Sequence, residues 1–140
     1  MTAPLAVIDT NVVVSGLLTG WPDSPTVRIL DGMLVGRFAF LVSPELLEEY
    51  RAVLLRPRIQ ERHRLGEREI ETVLTEVVAN ARFREIAPAA SGGVRNDEHL
   101  WVLLALEPES VLVTGDRPLA ASPRGSGRVL SPREFAARLI

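Results

Sequence analysis

The stretch Leu5-Ala6-Val7-Ile8-Asp9 decides the fold: four apolar residues in an unbroken row, closed by an acid. A strand with one face in water alternates apolar and polar residues, whereas a strand covered on both faces reads as a continuous apolar run. The run is therefore a strand inside a parallel sheet, and Asp9-Thr10-Asn11 ends it. Phe38-Ala39-Phe40-Leu41-Val42, Val111-Leu112-Val113-Thr114 and the shorter Arg128-Val129-Leu130 read as further strands.

Helical patterns lie between them. Thr26 to Gly36 carries Val27, Leu30 and Leu34 at helical spacing. Ser43-Pro44-Glu45 is a helix start: a serine cap, a proline in the first turn, then an acid near the positive helix end. That helix is expected to run to about Leu55, with Pro57 stopping it. Gly66 to Asn80 reads as another helix. Asp97 to Leu106 is apolar almost all round and reads as a buried one, and Ser131-Pro132-Arg133-Glu134 caps the last. Val12-Val13-Val14 is an apolar stretch before Gly16. The segments around Gly20, Pro22 and Pro25, and at Ser91-Gly92-Gly93, read as loops. Strands alternating with helices give an α/β class, a parallel sheet with helices on both faces. The 140 residues fit one domain, 1–140.

Composition narrows the chemistry. The chain has no cysteine, which excludes disulfides and thiolate metal sites. Every basic residue is an arginine, which excludes lysine chemistry. The net charge of −2 supplies no global field for nucleic acid, so such contact needs a local patch. Met1-Thr2-Ala3-Pro4 carries no basic residue, and Leu5 to Ile8 is too short for a signal-peptide core or a membrane span. A cytoplasmic, non-membrane protein is expected. No glycine-rich dinucleotide or phosphate loop and no G-x-S-x-G elbow is present. Two histidines without cysteine make a poor structural zinc site.

The acids are better placed. Asp9 directly follows the first strand and Asp116 follows the strand ending at Thr114. Sites in open parallel sheets form outside the carboxyl ends of the strands. Carboxylates delivered there repel each other unless a cation lies between them, and oxygen ligands of this kind suit Mg²⁺ or Mn²⁺. The alternative is that each aspartate only caps a turn or helix. At about 100° per residue, Leu46, Leu47, Tyr50, Val53 and Leu54 form one apolar stripe; Glu49 falls at its edge and Glu48 points to water. Glu49 is therefore the better ligand candidate, the alternative being a rim residue. Asp97 opens the buried helix as a further carboxylate or a cap, with Asn96 a rival cap and Glu98 a substitute acid. His99 is the obvious candidate for a general base, but on a helix it points away from Asp97, and a partly buried or surface histidine is the favoured alternative; His63 sits in a charged, exposed stretch.

At these residues the sequence resembles the PIN-domain family. Val7-Ile8-Asp9-Thr10-Asn11-Val12 resembles its opening signature, and Ser43-Pro44-Glu45-Leu46-Leu47-Glu48-Glu49-Tyr50 the helix carrying its glutamate, matched on Glu49. Asn96-Asp97-Glu98-His99-Leu100-Trp101 resembles the segment of its third acid, and Val111-Leu112-Val113-Thr114-Gly115-Asp116 its final strand and acid. The motifs arrive in order over nearly the whole chain. The resemblance implies a three-layer α/β/α sandwich around about five parallel strands. It also implies Mg²⁺- or Mn²⁺-dependent cleavage of RNA. Asp9, Glu49, Asp97 and Asp116 would be the catalytic and metal-ligating acids, supported by Asn11 and Thr114. Many small bacterial members are VapC-like toxins held inactive by an antitoxin, and such toxins commonly dimerise. Many relatives carry a further aspartate three positions before the third acid; here Val94 stands in that place.

The expected chemistry is hydrolysis of RNA phosphodiesters by a metal-activated water. Arg51, Arg56 and Arg58, with Arg62 and Arg64 close behind, are candidates for gripping RNA phosphates; the alternative is a solvated surface interspersed with glutamates. Two other functions compete, a DNA flap-type metal nuclease and a non-catalytic binding module of the same fold. Leu17, Leu18 and Trp21, expected to be exposed, suggest an interface for a second copy or a partner.

Overall fold

A computed structural model describes residues 3–86 and 97–139. Its strands are β1 (Ala6–Ile8), β2 (Phe40–Val42), β3 (Arg82–Phe83), β4 (Val111–Val113) and β5 (Val129–Leu130). They form one five-stranded sheet in the order β3-β2-β1-β4-β5. Every pairing is parallel: Ala6 stands opposite Phe40 on one side and Val111 on the other, and Ile8 opposite Val113. β1 is thus central, as its unbroken apolar run requires, and Ala6, Val7 and Ile8 are fully buried. The chain steps outward from β1 through β2 to β3, then returns to β1's other side for β4 and β5. The order therefore reverses between β1 and β4, and a crevice opens there beyond the strand ends.

The helices are α1 (Thr10–Leu18), α2 (Pro25–Val35), α3 (Pro44–Leu54), α4 (Pro57–His63), α5 (Glu67–Asn80), α6 (Glu98–Leu106), α7 (Arg117–Ala120) and α8 (Pro132–Ala136). Together with the sheet they make a three-layer α/β/α sandwich. α1 packs closely on α2 at Gly16, where an added Cβ would lie 2.8 Å from both the Leu30 Cβ and the Thr26 carbonyl oxygen. α2 ends at Gly36, whose φ of 69° is the left-handed conformation that glycine adopts most freely.

Several boundaries depart from the sequence reading. Val12, Val13 and Val14 belong to α1 rather than to an unassigned apolar stretch. Their β-branched side chains weaken a helix slightly, but all three are buried, and burial outweighs propensity. Pro57 does end α3's neighbourhood, yet it opens α4 as the first helical residue, a position where the missing N–H costs nothing. β3 went unread because its two residues, Arg82 and Phe83, are both exposed and form no apolar run. Ser91-Gly92-Gly93, Val94 and Asn96 lie outside the described residues.

Candidate active site

Asp9 stands at the end of β1, and its fixed neighbours come from both sides of the crevice. Its Oδ1 accepts the Thr10 backbone N–H at 2.8 Å, and its Oδ2 accepts the Thr114 hydroxyl at 2.7 Å and the Asn11 amide at 3.0 Å. Thr114, buried after β4, also accepts the Asp116 backbone N–H at 3.0 Å through Oγ1. Asn11 completes the lacing: its Oδ1 accepts the Gly115 N–H at 3.1 Å. The two strand ends that carry Asp9 and Asp116 are thereby tied into one rigid unit. Each carboxylate oxygen has room for about two donors, so Asp9 Oδ1 retains an open lone pair.

Asp116 caps α7, accepting the Leu119 N–H at 3.1 Å through Oδ1. The capping role considered from sequence is therefore real, and it coexists with a place in the pocket, because Asp116 is exposed there. Asp97 precedes α6 but makes no side-chain capping bond, which leaves its carboxylate uncommitted to the helix end. Glu98, the substitute acid, turns instead to Arg124, which it meets with both oxygens.

One pocket of about 1240 Å³ receives these side chains. Asp9 enters from β1, Glu49 from α3, Asp97 from the start of α6 and Asp116 from the turn after β4. Asn11 lines it as well; Thr114 stands behind, holding Asp9. Glu49 is held in place by α3, which Tyr50 fixes to the sheet: its fully buried hydroxyl donates to the Ile8 carbonyl at 2.5 Å, one residue before Asp9. Burial, with the charges of Asp9 and Glu49 nearby, holds that hydroxyl well above the usual tyrosine range, so it remains a donor.

The acids feel one another. Burial pushes the Asp9 carboxyl above the usual aspartate range; the bonds from Thr114 and Thr10 pull against this, and the charges of Glu49 and Asp116 add to the rise. Carboxylates placed this way favour a cation between them. The donors fit a hard divalent ion in kind, being carboxylate oxygens with no thiolate among them. Among the described residues no three acid or histidine side chains are drawn together as a ready-made cage; the four acids line a shared wall.

Three further residues, His99, Glu45 and Thr10, stand in the pocket wall. His99 faces Glu49: its side chain is 11% exposed, and Nε2 lies 3.6 Å from Glu49 Oε2. Among the described residues its Nδ1 is buried without a partner, as are Oε1 of Glu45 and Oγ1 of Thr10, both also in the pocket wall. Glu45 was legible, since it stands four residues before Glu49 on α3 and so shares its face. The approach of His99 to Glu49 was not, because a helix apolar all round gives no preferred side. Glu48 is in the wall too, although its side chain is 68% exposed and bonded to Arg51. The arginines divide. Arg56 and Arg62 line the pocket; Arg51 is held by Glu71 at 2.8 and 2.9 Å and by Glu48 at 3.1 Å; Arg58 is exposed outside it. Of the three apolar residues expected at the surface, Leu17 and Leu18 pack against the core and only Trp21 stands out, at 69% exposure.

A parallel α/β/α sandwich with acids from separate elements gathered over its switch point has the build of a carboxylate-centred nuclease. The chain belongs to the PIN domain family, whose model matches residues 5–118, a span that contains Asp9, Glu49, Asp97 and Asp116. No curated protein sequence matches the chain. The family is one of nucleases that act on nucleic acids and generally use divalent metal ions. No helix among the described residues is long and apolar enough to cross a membrane.

Proposed function

We propose that this chain is a Mg²⁺- or Mn²⁺-dependent endoribonuclease, the toxin of a toxin–antitoxin pair. The observation that carries the reading is the convergence of Asp9, Glu49, Asp97 and Asp116 on one pocket at the switch point. The pocket volume, above the 300–1,000 Å³ usual for a small-molecule site, suits a segment of polymer better than a lone nucleotide. No serine or cysteine nucleophile backed by a base is needed: cysteine is absent, and the only pocket histidine faces Glu49.

In this reading Asp9, Glu49, Asp97 and Asp116 hold the ion, with Asp9 oriented by Thr114, Asn11 and the Thr10 N–H. A bound divalent cation supplies acidification of a water and offsets charge building on the phosphate. The chain's part is to keep the carboxylates apart until that charge arrives, and to fix Asp9 so that its open lone pair faces the pocket. His99 stands beside Glu49 and limits where that carboxylate can turn. Exposed Trp21 provides the anchor for a homodimer or for a protein antitoxin.

Matched single-stranded RNA and DNA of one sequence, incubated with the purified chain and Mg²⁺ or Mn²⁺, test the reading. Cutting of RNA with DNA left intact supports it. Cutting of DNA in preference moves the chain to the flap-type nucleases, and no cutting of either supports a binding module.

A further inference from the structure

Resting on the nucleic-acid reading above, we infer that Arg56 and Arg62 are the phosphate grip of this site. They would hold the phosphodiester backbone of a single strand beside the carboxylates, while Arg51 takes no part.

Charge sets the need for such a grip. Six carboxylates line the pocket: Asp9, Glu45, Glu48, Glu49, Asp97 and Asp116. A polyanion drawn along that wall meets repulsion that one bound cation offsets only at the scissile phosphate. The neighbouring phosphates need positive charge supplied by the protein, and the chain's net charge of −2 gives none at a distance.

The arginines with settled partners cannot provide it. Arg51 is taken by Glu71 and Glu48, Arg84 by Glu107, and Arg124 by Glu98 with its guanidinium over Trp101. Arg128 spends its donors on the carbonyls of Leu104, Glu107 and Ser110. Among the described residues Arg56 and Arg62 are the arginines in the pocket wall, and neither has an ion-pair partner there. Both belong to α4, Arg56 as its N-cap residue and Arg62 in its last turn. Six residues of helical rise separate them by about 9 Å, so they address different phosphates rather than one. A guanidinium fork matches a phosphate with two parallel hydrogen bonds. The backbone would therefore run along α4, with the α3 acids between it and the sheet.

The test is the salt dependence of binding, measured by fluorescence anisotropy on a labelled single-stranded RNA in EDTA, with DNA of the same sequence as a second arm. Each phosphate contact contributes about −0.7 to the slope of log K against log salt for a single strand. Arg56→Gln and Arg62→Gln should each flatten that slope by about 0.7, Arg56→Lys and Arg62→Lys should keep most of it, and Arg51→Gln should leave it unchanged. A thermal melt of each variant separates lost contact from lost fold. Flattening in the RNA arm alone assigns the grip to RNA, and flattening in both assigns it to the shared backbone. Wild-type slopes in both glutamine variants, with wild-type binding intact, overturn the inference and leave the nuclease reading standing. Equal flattening by Arg51→Gln and Arg58→Gln also overturns it, in favour of a diffuse basic surface. Should the wild-type chain bind neither strand, the inference falls together with the nucleic-acid reading.

Discussion

Asp9 carries a conflict that the rest of the site resolves. It is buried, charged, and within reach of the charges of Glu49 and Asp116, and its carboxyl is raised above the usual aspartate range mainly by burial. A raised carboxyl binds more protons in the folded than in the unfolded chain. Its contribution to stability is thus present below the unfolded value and is lost as pH rises through the folded one. The metal-free wild type should accordingly lose ground to Asp9→Asn as pH climbs from the aspartate range toward neutrality, measured as the difference in Tm between the two. A difference that stays constant with pH would mean that Asp9 is not under electrostatic stress. Asparagine keeps one oxygen to accept from Thr114 and Asn11 but turns its NH₂ toward the Thr10 N–H, which then lacks its acceptor, so the comparison rests on the trend with pH and not on the absolute Tm. On α3, Glu49→Gln should lower kcat/KM by roughly 10- to 100-fold or more, the scale seen when a metal site loses a close support. Glu48→Gln, which mainly frees Arg51 from a weak surface pair, should do little. Steady-state kinetics on both variants decide between them; equal losses would place Glu48 in the machinery as well.

At the scale of elements, what was legible in sequence depended on burial and on end signals. β1 and β4 could be read because strands covered on both faces are apolar throughout. α3 could be read because Ser43 and Pro44 mark its start, and the Ser43 hydroxyl does accept the Leu46 N–H at 3.1 Å. The position of Glu49 at the edge of the α3 stripe followed from helical geometry alone. α1 was missed because its valines favour strands and its cap, Asp9, reads equally as the end of β1. β3 was missed because an exposed two-residue edge strand carries no pattern, and the approach of His99 to Glu49 because α6 is buried on nearly every side. One contact holds the readable elements together at the site: Tyr50 of α3 bonded to the carbonyl of Ile8 in β1. Tyr50→Phe removes a buried donor and leaves that carbonyl poorly satisfied, at a cost of about 1–3 kcal/mol. Urea denaturation should report that loss, with reduced cleavage as α3 and Glu49 shift relative to Asp9. Unchanged stability would show that the bond does not set the register of α3 on the sheet.

For the whole molecule, the sheet order β3-β2-β1-β4-β5 does the gathering. Residues more than a hundred positions apart, Asp9 and Thr114, become hydrogen-bonded neighbours because β1 and β4 are adjacent and parallel. Assembly is the next level. Trp21, at 69% exposure among the described residues, is a large and mostly uncovered apolar group. In the proposed dimer, light scattering should give roughly twice the 15.4 kDa chain mass, and Trp21→Ser should shift the protein toward monomer. A monomer across micromolar concentrations would remove the dimer and leave the antitoxin to be sought by co-purification. The central claim is that the carboxylates over the switch point are a cation-dependent nuclease centre. Its most direct test is RNA digestion by purified wild type and Asp9→Asn, each with Mn²⁺ and with EDTA. Wild type with Mn²⁺ should cut and none of the other three samples should, with Asp9→Asn still folded. Equal cutting by wild type in EDTA, or by Asp9→Asn with Mn²⁺, would contradict that claim.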